Sequence, residues 1–280
     1  MRLLPDKVYL QLLYRYHIGK WINLKSPKGF NEKIQWLKLY DRRPEYTTMV
    51  DKLLAKEYVG NIIGQEHIIP TLAVWDDPKE INFDALPDQF VIKCNHDSHS
   101  VVICRDKSAF DREAAIKKLA ARFKQNAYWQ GRAYPYKNIR KKVFAEKYME
   151  DESGYELKDY KFFCYDGVMK YLKIDFDRFT QHRSNYYDRH GNLMSIGETV
   201  CPPDPSRVFA MPENLNTMIE YAEKLSRGIP FLRVDFYNVN GKIYFGELTF
   251  YPASGFGKFT SEEGNLALGE KLKLPEVRRH

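Results

Sequence analysis

A mixed α/β fold is predicted by three features of this 280-residue sequence. Asp166-Gly167 and Asn240-Gly241 each stand between two runs of alternating polar and apolar residues, the pattern of a β-hairpin. Apolar runs at 90–95, 101–104 and 143–149 read as further strands. Helical spacing recurs at 108–125 and 213–227, and residues 1–60 read as mainly helical.

Taken in order, residues 6–17 form a helix with Val8, Leu12, Leu13 and Tyr16 on one apolar stripe. Asn31 caps a second helix to about residue 40, with Ile34, Leu37 and Lys38 on successive turns. Residues 41–44 break it, and a third helix covers 46–59. A short strand at 68–75 leads into an Asp- and Pro-rich linker at 76–88. Ser108 caps the helix at 108–125, and the aromatic, basic loop 126–142 reads as a mobile lid. The strands flanking Asp166-Gly167 follow, then a hairpin around Gly191. The 213–227 helix buries Leu215, Met218, Ile219, Ala222 and Leu225. A final helix is expected near 262–272.

Lys and Arg number 44 against 37 Asp and Glu, a net charge of +7. That excess suits anionic partners, from nucleotides and acidic sugars to nucleic acid or a membrane surface, without choosing among them. No recognisable nucleic-acid motif accompanies it, so nucleic acid is not expected as a partner. Cys94, Cys104, Cys164 and Cys201 form no Cys-x-x-Cys pair and lie in or beside apolar stretches, which suits a reduced, cytoplasmic chain. Pro5, Asp6, Lys7 and Arg15 interrupt the N-terminal apolar residues, unlike a secretory signal. No run approaches the ~20 apolar residues of a membrane span.

The chemistry concentrates in FLRVDFYNVNGKIYFGELTFYP, residues 231–252. Alternation puts Arg233 and Asp235 on one strand face, and Glu247 and Thr249 on one face of the next. Two close carboxylates repel unless a cation lies between them, and oxygen donors favour Mg²⁺ or Mn²⁺ over zinc. Mg²⁺ with an arginine points to a phosphate group. A strict two-residue turn at Asn240-Gly241 would oppose Asp235 to Gly246, so the site requires an odd loop or a bulge near Gly241. The alternative is an amphipathic hairpin with solvated charges.

Lys93 ends an apolar strand before a loop of small polar residues, a plausible phosphate contact. His96 and His99 in that loop have no third metal ligand nearby. Asp159 and Lys161 share a face two residues apart, suited to a ribose hydroxyl and a phosphate, or to a surface ion pair. Arg178, His182 and Arg183 form a basic cluster for an acidic substrate, or an exposed loop.

The ordered set VIK (91–93), AEKYM (145–149), DYKFF (159–163), LRVDFY (232–237) and GELTFYPASG (246–255) resembles the ATP-grasp superfamily. The helical N-terminus and the EL-T-FYP-SG ending resemble its branch associated with teichuronopeptide and capsular polysaccharide biosynthesis. The resemblance implies two α/β subdomains clasping a nucleotide behind a helical module. The expected division is 1–88 for the helical module and linker, 89–150 for a lid subdomain and 151–280 for a metal-bearing subdomain.

By the same resemblance Lys93 and Lys161 hold ATP phosphates, and Glu146, Lys147, Tyr148 and Met149 form the adenine hinge, largely through backbone groups. Asp159 meets the ribose, Asp235 and Glu247 bind Mg²⁺ (or Mn²⁺), and Arg233 stabilises the transferring phosphoryl group. Thr249 stands where the family often has asparagine, a weaker neutral ligand.

The implied reaction is ATP-dependent ligation of a carboxylate to an amine through an acyl phosphate. The expected acid is a uronic acid in a sugar or glycan, and the expected amine an amino acid or amino alcohol. Peripheral association with membrane-bound polysaccharide-assembly machinery is compatible with this reading. A metal-dependent glycosyltransferase is the alternative, though no β-x-Asp-x-Asp pattern is present. A non-catalytic glycan-binding module would exploit the 20 tyrosines. It has no reason to carry Lys93, Lys161, Arg233, Asp235 and Glu247 together.

Overall fold

The computed structural model describes residues 3–154, 157–178, 180–207 and 209–276. The chain divides into two compact units, one made of Met1–Arg42 with Asp151–His280 and the other of Arg43–Glu150. The stretch expected as one module, 1–88, is divided between them.

The first unit begins with α1 (Asp6–Ile18), which Gly19 ends in the left-handed region at φ 88°. Its buried side is Tyr9, Leu10 and Tyr14, whereas Val8, Leu12 and Tyr16 are exposed. The helix is apolar on both sides, and the side bearing two aromatics packs with Ile22, Leu39 and Phe256. The expected stripe therefore faces outward, apart from the partly buried Leu13. Helix α2 (Phe30–Tyr40) starts one residue before its expected cap. The Glu32 carboxylate accepts from the N–H groups of Asn23, Lys28 and Gly29. The Asn31 side chain instead donates to the Gly257 carbonyl at 2.6 Å.

The second unit opens with α3 (Tyr46–Val50) and α4 (Leu54–Ile63) in place of one long helix. Asp51 splits them by accepting from the N–H groups of Leu53 and Leu54. Strand β1 (Thr71–Trp75) follows. Residues 76–88 are no linker: short turns capped by Asp77 and Asn82 deliver Ile81, Phe83 and Leu86 into the core.

Next come β2 (Phe90–Cys94), β3 (Val102–Cys104), α5 (Arg112–Phe123), α6 (Ala127–Gly131) and β4 (Val143–Lys147). Asp111 caps α5, not Ser108. The segment read as a lid is packed, with Tyr128, Arg132, Ala133 and Ile139 buried. The strands make an antiparallel sheet in the order β1-β4-β2-β3, and Ala115 and Leu119 of α5 join its core.

The rest of the first unit contains β5 (Asp159–Tyr165), β6 (Val168–Phe176), β7 (Arg183–Asp188), α7 (Leu215–Ser226), β8 (Leu232–Val239), β9 (Lys242–Thr249) and α8 (Glu262–Lys271). Its antiparallel sheet runs β7-β6-β5-β8-β9. Helix α7 lies against β5, β6 and β8, burying Met218, Ile219, Ala222 and Leu225. Helix α2 joins this unit through Phe30, edge-on to Phe231, and through hydrogen bonds to α8. The Asn31 N–H donates to Asn265 Oδ1, and Lys33 Nζ donates to the Gly269 and Leu272 carbonyls. All four cysteines are free thiols and buried.

Candidate active site

The hairpin of β8 and β9 is built by two local devices. Asn240 and Gly241 both lie in the left-handed region, at φ 50° and 80°, the geometry of a tight two-residue turn. From that turn the register runs back to Phe236↔Phe245, then slips, so that Asp235 opposes Glu247 and Arg233 opposes Thr249. The extra residue is Gly246. A Cβ there would lie 3.0 Å from the Asp235 carbonyl oxygen and 3.3 Å from the Tyr237 ring. Glycine thus permits the bulge, which lies five residues beyond Gly241. Without it Glu247 would point to the other face.

Arg233 holds this arrangement. Its Nε and terminal nitrogen donate to the two Asp235 oxygens, each at 2.7 Å. The same terminal nitrogen reaches Glu247 Oε1 at 2.9 Å and Thr249 Oγ1 at 3.0 Å. On β5, Lys161 lies opposite Asp235 and stands 3.3 Å from its carboxylate, 3.0 Å from Asp159 and 3.6 Å from Asp175. Lys173, opposite Lys161 on β6, pairs with Asp175 at 3.5 Å and Glu198 at 2.8 Å. Arg178 pairs with Asp159 and Asp175. His182 Nε2 lies 3.4 Å from Asp175 and its Nδ1 3.2 Å from the Cys201 sulfur. One sheet face thus gathers five carboxylates, Asp159, Asp175, Glu198, Asp235 and Glu247, against four fixed cations, Lys161, Lys173, Arg178 and Arg233.

Burial makes these charges matter, because a desolvated charge must find a partner. Burial raises the Asp175 pKa, but Lys161, the His182 hydrogen bond, Lys173 and Arg178 outweigh it and hold the group well below the usual carboxylate range. Asp235 is pushed upward, by burial first, against the pull of Arg233 and Lys161 and with Glu247 adding to the rise. Burial lowers Lys161, yet Asp159, Asp235 and Asp175 win and raise it.

The residues expected in the other unit form a separate group there. Glu146 is buried and pairs with Lys93 and, at 2.8 Å, with Lys56. Both ammonium groups stand within 6 Å of the Phe144 ring, at 5.3 Å for Lys56 and 5.7 Å for Lys93. Lys147 is exposed, its N–H bonded to the Pro70 carbonyl, and the Tyr148 hydroxyl reaches Glu150 at 3.2 Å. Tyr148 and Met149 are half-buried.

Of the expected set, Asp159, Lys161, Arg178, His182, Arg233, Asp235, Glu247 and Thr249 come together. Arg183 does not: its guanidinium bonds Gln181 at 3.3 Å. Sequence reading missed Asp175, Lys173, Glu198 and Lys56. Strict pairing from Tyr165↔Val168 would oppose Lys161 to Leu172 and send Lys173 and Asp175 to the other face; a slip between Phe163 and Cys164 brings them opposite Lys161 and Asp159 instead, so the turn alone did not reveal them. Among the described residues, no three His, Cys, Asp or Glu side chains are grouped as metal ligands. The oxygens of Asp235, Glu247 and Thr249 nonetheless fit a hard cation chemically, and Arg233 now spans them.

Beyond β9, Pro252–Gly255 forms a tight loop in which Ala253 and Ser254 are both left-handed, at φ 45° and 53°. Lys38 of α2 is fully buried beneath it and donates to the Ser254 carbonyl at 2.6 Å and hydroxyl at 2.9 Å. Burial pushes that amine well below its ordinary pKa.

No curated protein matches the chain. Solved structures similar to it include D-alanine–D-alanine ligase from Helicobacter pylori, with 12% identity, a TM-score of 0.49, and 90% of this chain covering 68% of that one. The same ligase from Bacillus anthracis gives 15%, 0.40, 80% and 59%. The ATP-grasp ligase PsnB, complexed with minimal precursor, Mg and ADP, gives 13%, 0.42, 79% and 57%. The chain thus spans less than two thirds of the length of the second and third of these proteins. The sequence profile of the TupA-like ATP-grasp family matches residues 32–273, which takes in both sheets and every site residue described above. The chain belongs to the TupA-like ATP-grasp family.

Proposed function

We propose that the protein is an ATP-dependent ligase joining a carboxylate to an amine. The observation that supports this reading is the charged face of the five-stranded sheet, where Arg233 bridges Asp235, Glu247 and Thr249 beside Lys161. The substrate carboxylate attacks the γ-phosphorus of ATP, ADP leaves, and an acyl phosphate forms. The amine then attacks the acyl carbon, loses a proton and expels phosphate. Such chemistry needs positioning and charge neutralisation rather than a protein nucleophile.

Asp235 and Glu247, with Thr249, are the residues to hold Mg²⁺, which when bound neutralises charge on the phosphate oxygens. Arg233 offers its guanidinium to the transferring phosphoryl group, and Lys161 offers its ammonium to a phosphate. Asp159 is the proposed ribose contact. Arg178 and His182 are the proposed contacts of the acid, with Arg183 the third basic residue of that stretch. In the other unit, Lys93 is a proposed phosphate contact and residues 146–149 the adenine contact. The acid we propose is a uronic acid of a capsular or cell-wall polysaccharide or its precursor, and the amine an amino acid or amino alcohol.

The test is ADP release with ATP and Mg²⁺, screened over uronic acids crossed with amino acids and amino alcohols. ADP release should require one acid–amine pair and fall by about 10²–10³-fold in Asp235→Asn and Glu247→Gln. ATP-independent transfer of the sugar from a nucleotide sugar would replace this reading with a glycosyltransferase. Undiminished turnover in both variants would remove the metal site from this hairpin.

A further inference from the structure

We propose that the outward face of α1 docks on an anionic membrane surface. Val8, Leu12 and Tyr16 recur every four residues and so stack along one side of the helix. They are 46%, 48% and 82% exposed, while Tyr9, Leu10 and Tyr14 hold the opposite side to the core. Gln11 exchanges two 2.9 Å hydrogen bonds with the backbone of Ile22, fastening the chain that follows Gly19 to the helix. Ile22 turns inward there, and the preceding Trp21 is left 58% exposed. Four large apolar side chains thus stand outside the core within 14 residues, counting Val8 to Trp21. Tyr16 and Trp21 are the types that favour the headgroup level of a bilayer.

The charge of the segment that carries this face selects the partner. Lys7, Arg15, Lys20, Lys25 and Lys28 are all exposed. Asp6 is the one acid in residues 3–29, and Arg42 neutralises it at 2.6 Å. Lys20 reaches Glu262, and Arg15 donates to the Gly19 carbonyl, so both groups stay at the surface. Basic side chains can lay their stems along apolar surface and extend their heads to lipid phosphates. A neutral protein partner, or a second copy of the chain, would gain from the apolar stripe but not from the basic excess of this segment, in which Glu262 offsets only Lys20. The helix has 13 residues and no helix of the described residues is long and apolar enough to cross a membrane, so α1 would lie in the interface plane.

The inference does not depend on the ligase reading. The full chain is sedimented with phosphatidylcholine vesicles, with and without phosphatidylglycerol, at low and high salt. Binding should be at least about tenfold stronger with phosphatidylglycerol and should weaken as salt rises. Leu12→Ser with Tyr16→Ser, and separately Arg15→Glu with Lys25→Glu, should each lose about tenfold in partitioning, with the melting temperature unchanged because these side chains are exposed. Equal partitioning to both vesicle types, or full binding by both double variants, would overturn the proposal. So would concentration-dependent self-association that Tyr16→Ser abolishes, which would give the face to a second copy.

Discussion

Both units bury charge on a β-sheet, but with opposite residues in surplus. In the unit 43–150, two lysines, Lys56 and Lys93, share the single carboxylate of Glu146. In the other unit, five carboxylates face four fixed cations. A surplus cation on a buried face is what an anionic group such as a phosphate would complete. A surplus carboxylate is what a divalent cation would complete. Among the pairs described, Lys and Arg outnumber carboxylates in the first cluster and are outnumbered by them in the second, where His182 also stands beside Asp175.

The largest effects should follow that asymmetry. Glu146→Gln leaves two poorly solvated lysines without their carboxylate, and should cost about 3–5 kcal/mol in urea unfolding. Lys93→Met leaves Lys56 and Glu146 evenly matched and should cost less than about 1.5 kcal/mol. In the five-stranded sheet the order reverses: Lys161→Met should cost about 3–5 kcal/mol and Asp175→Asn distinctly less. Equal costs for acid and base removal within either cluster would end the comparison.

A smaller effect separates the units by pH. His96 is buried in the unit 43–150 against the edge of Phe123, and burial first, with Lys141 nearby, lowers its pKa from 6.5 to about 4. The fold prefers the neutral ring, so the unfolded chain takes up a proton first as pH falls below 6.5. Stability is then lost between pH 6.5 and 4, by up to about 3 kcal/mol. Unfolding free energies at pH 7 and pH 4.5 should converge in His96→Gln relative to the unsubstituted chain. An unchanged difference would show that carboxylates, not His96, set the acid limit.

The smallest pair concerns two glycines of one hairpin. Gly246→Ala meets the Asp235 carbonyl and the Tyr237 ring, and should cost about 1–3 kcal/mol while displacing Glu247. Gly241→Ala meets nothing within 4 Å and carries only the left-handed penalty at φ 80°, about 1 kcal/mol. ADP release should therefore fall in the first variant and persist in the second.

Where a reading rested on a local rule, the sequence was legible. Asp-Gly and Asn-Gly located both principal hairpins, because only such residues reach the left-handed geometry cheaply. Alternation then put Arg233, Asp235, Glu247 and Thr249 on the correct faces, although the slip lies at Gly246 and nothing local in the sequence fixes a bulge to one residue. Legibility failed where packing decided. Helix α1 offered two apolar sides, and only contact with Ile22, Leu39 and Phe256 selects one. Residues 76–88 looked like a linker because Ile81, Phe83 and Leu86 follow neither period, yet all are core. Lys56 escaped notice because its carboxylate partner lies 90 residues on, at Glu146.

The discontinuous unit also sets an order of events during synthesis. Residues 43–150 can close their sheet as soon as they have emerged, since every strand they need is local. Helix α2 has no such option. Its partners lie 216–239 residues later, in Ser254, Asn265, Gly269 and Leu272. At the usual pace of ~5–20 residues per second, α2 waits many seconds with Phe30, Ile34, Leu37 and the amine of Lys38 uncovered. The strained loop at Ala253 and Ser254 meets Lys38 only at the end of that interval. The unit that carries the proposed chemistry is thus the one most dependent on protection while the chain is being made.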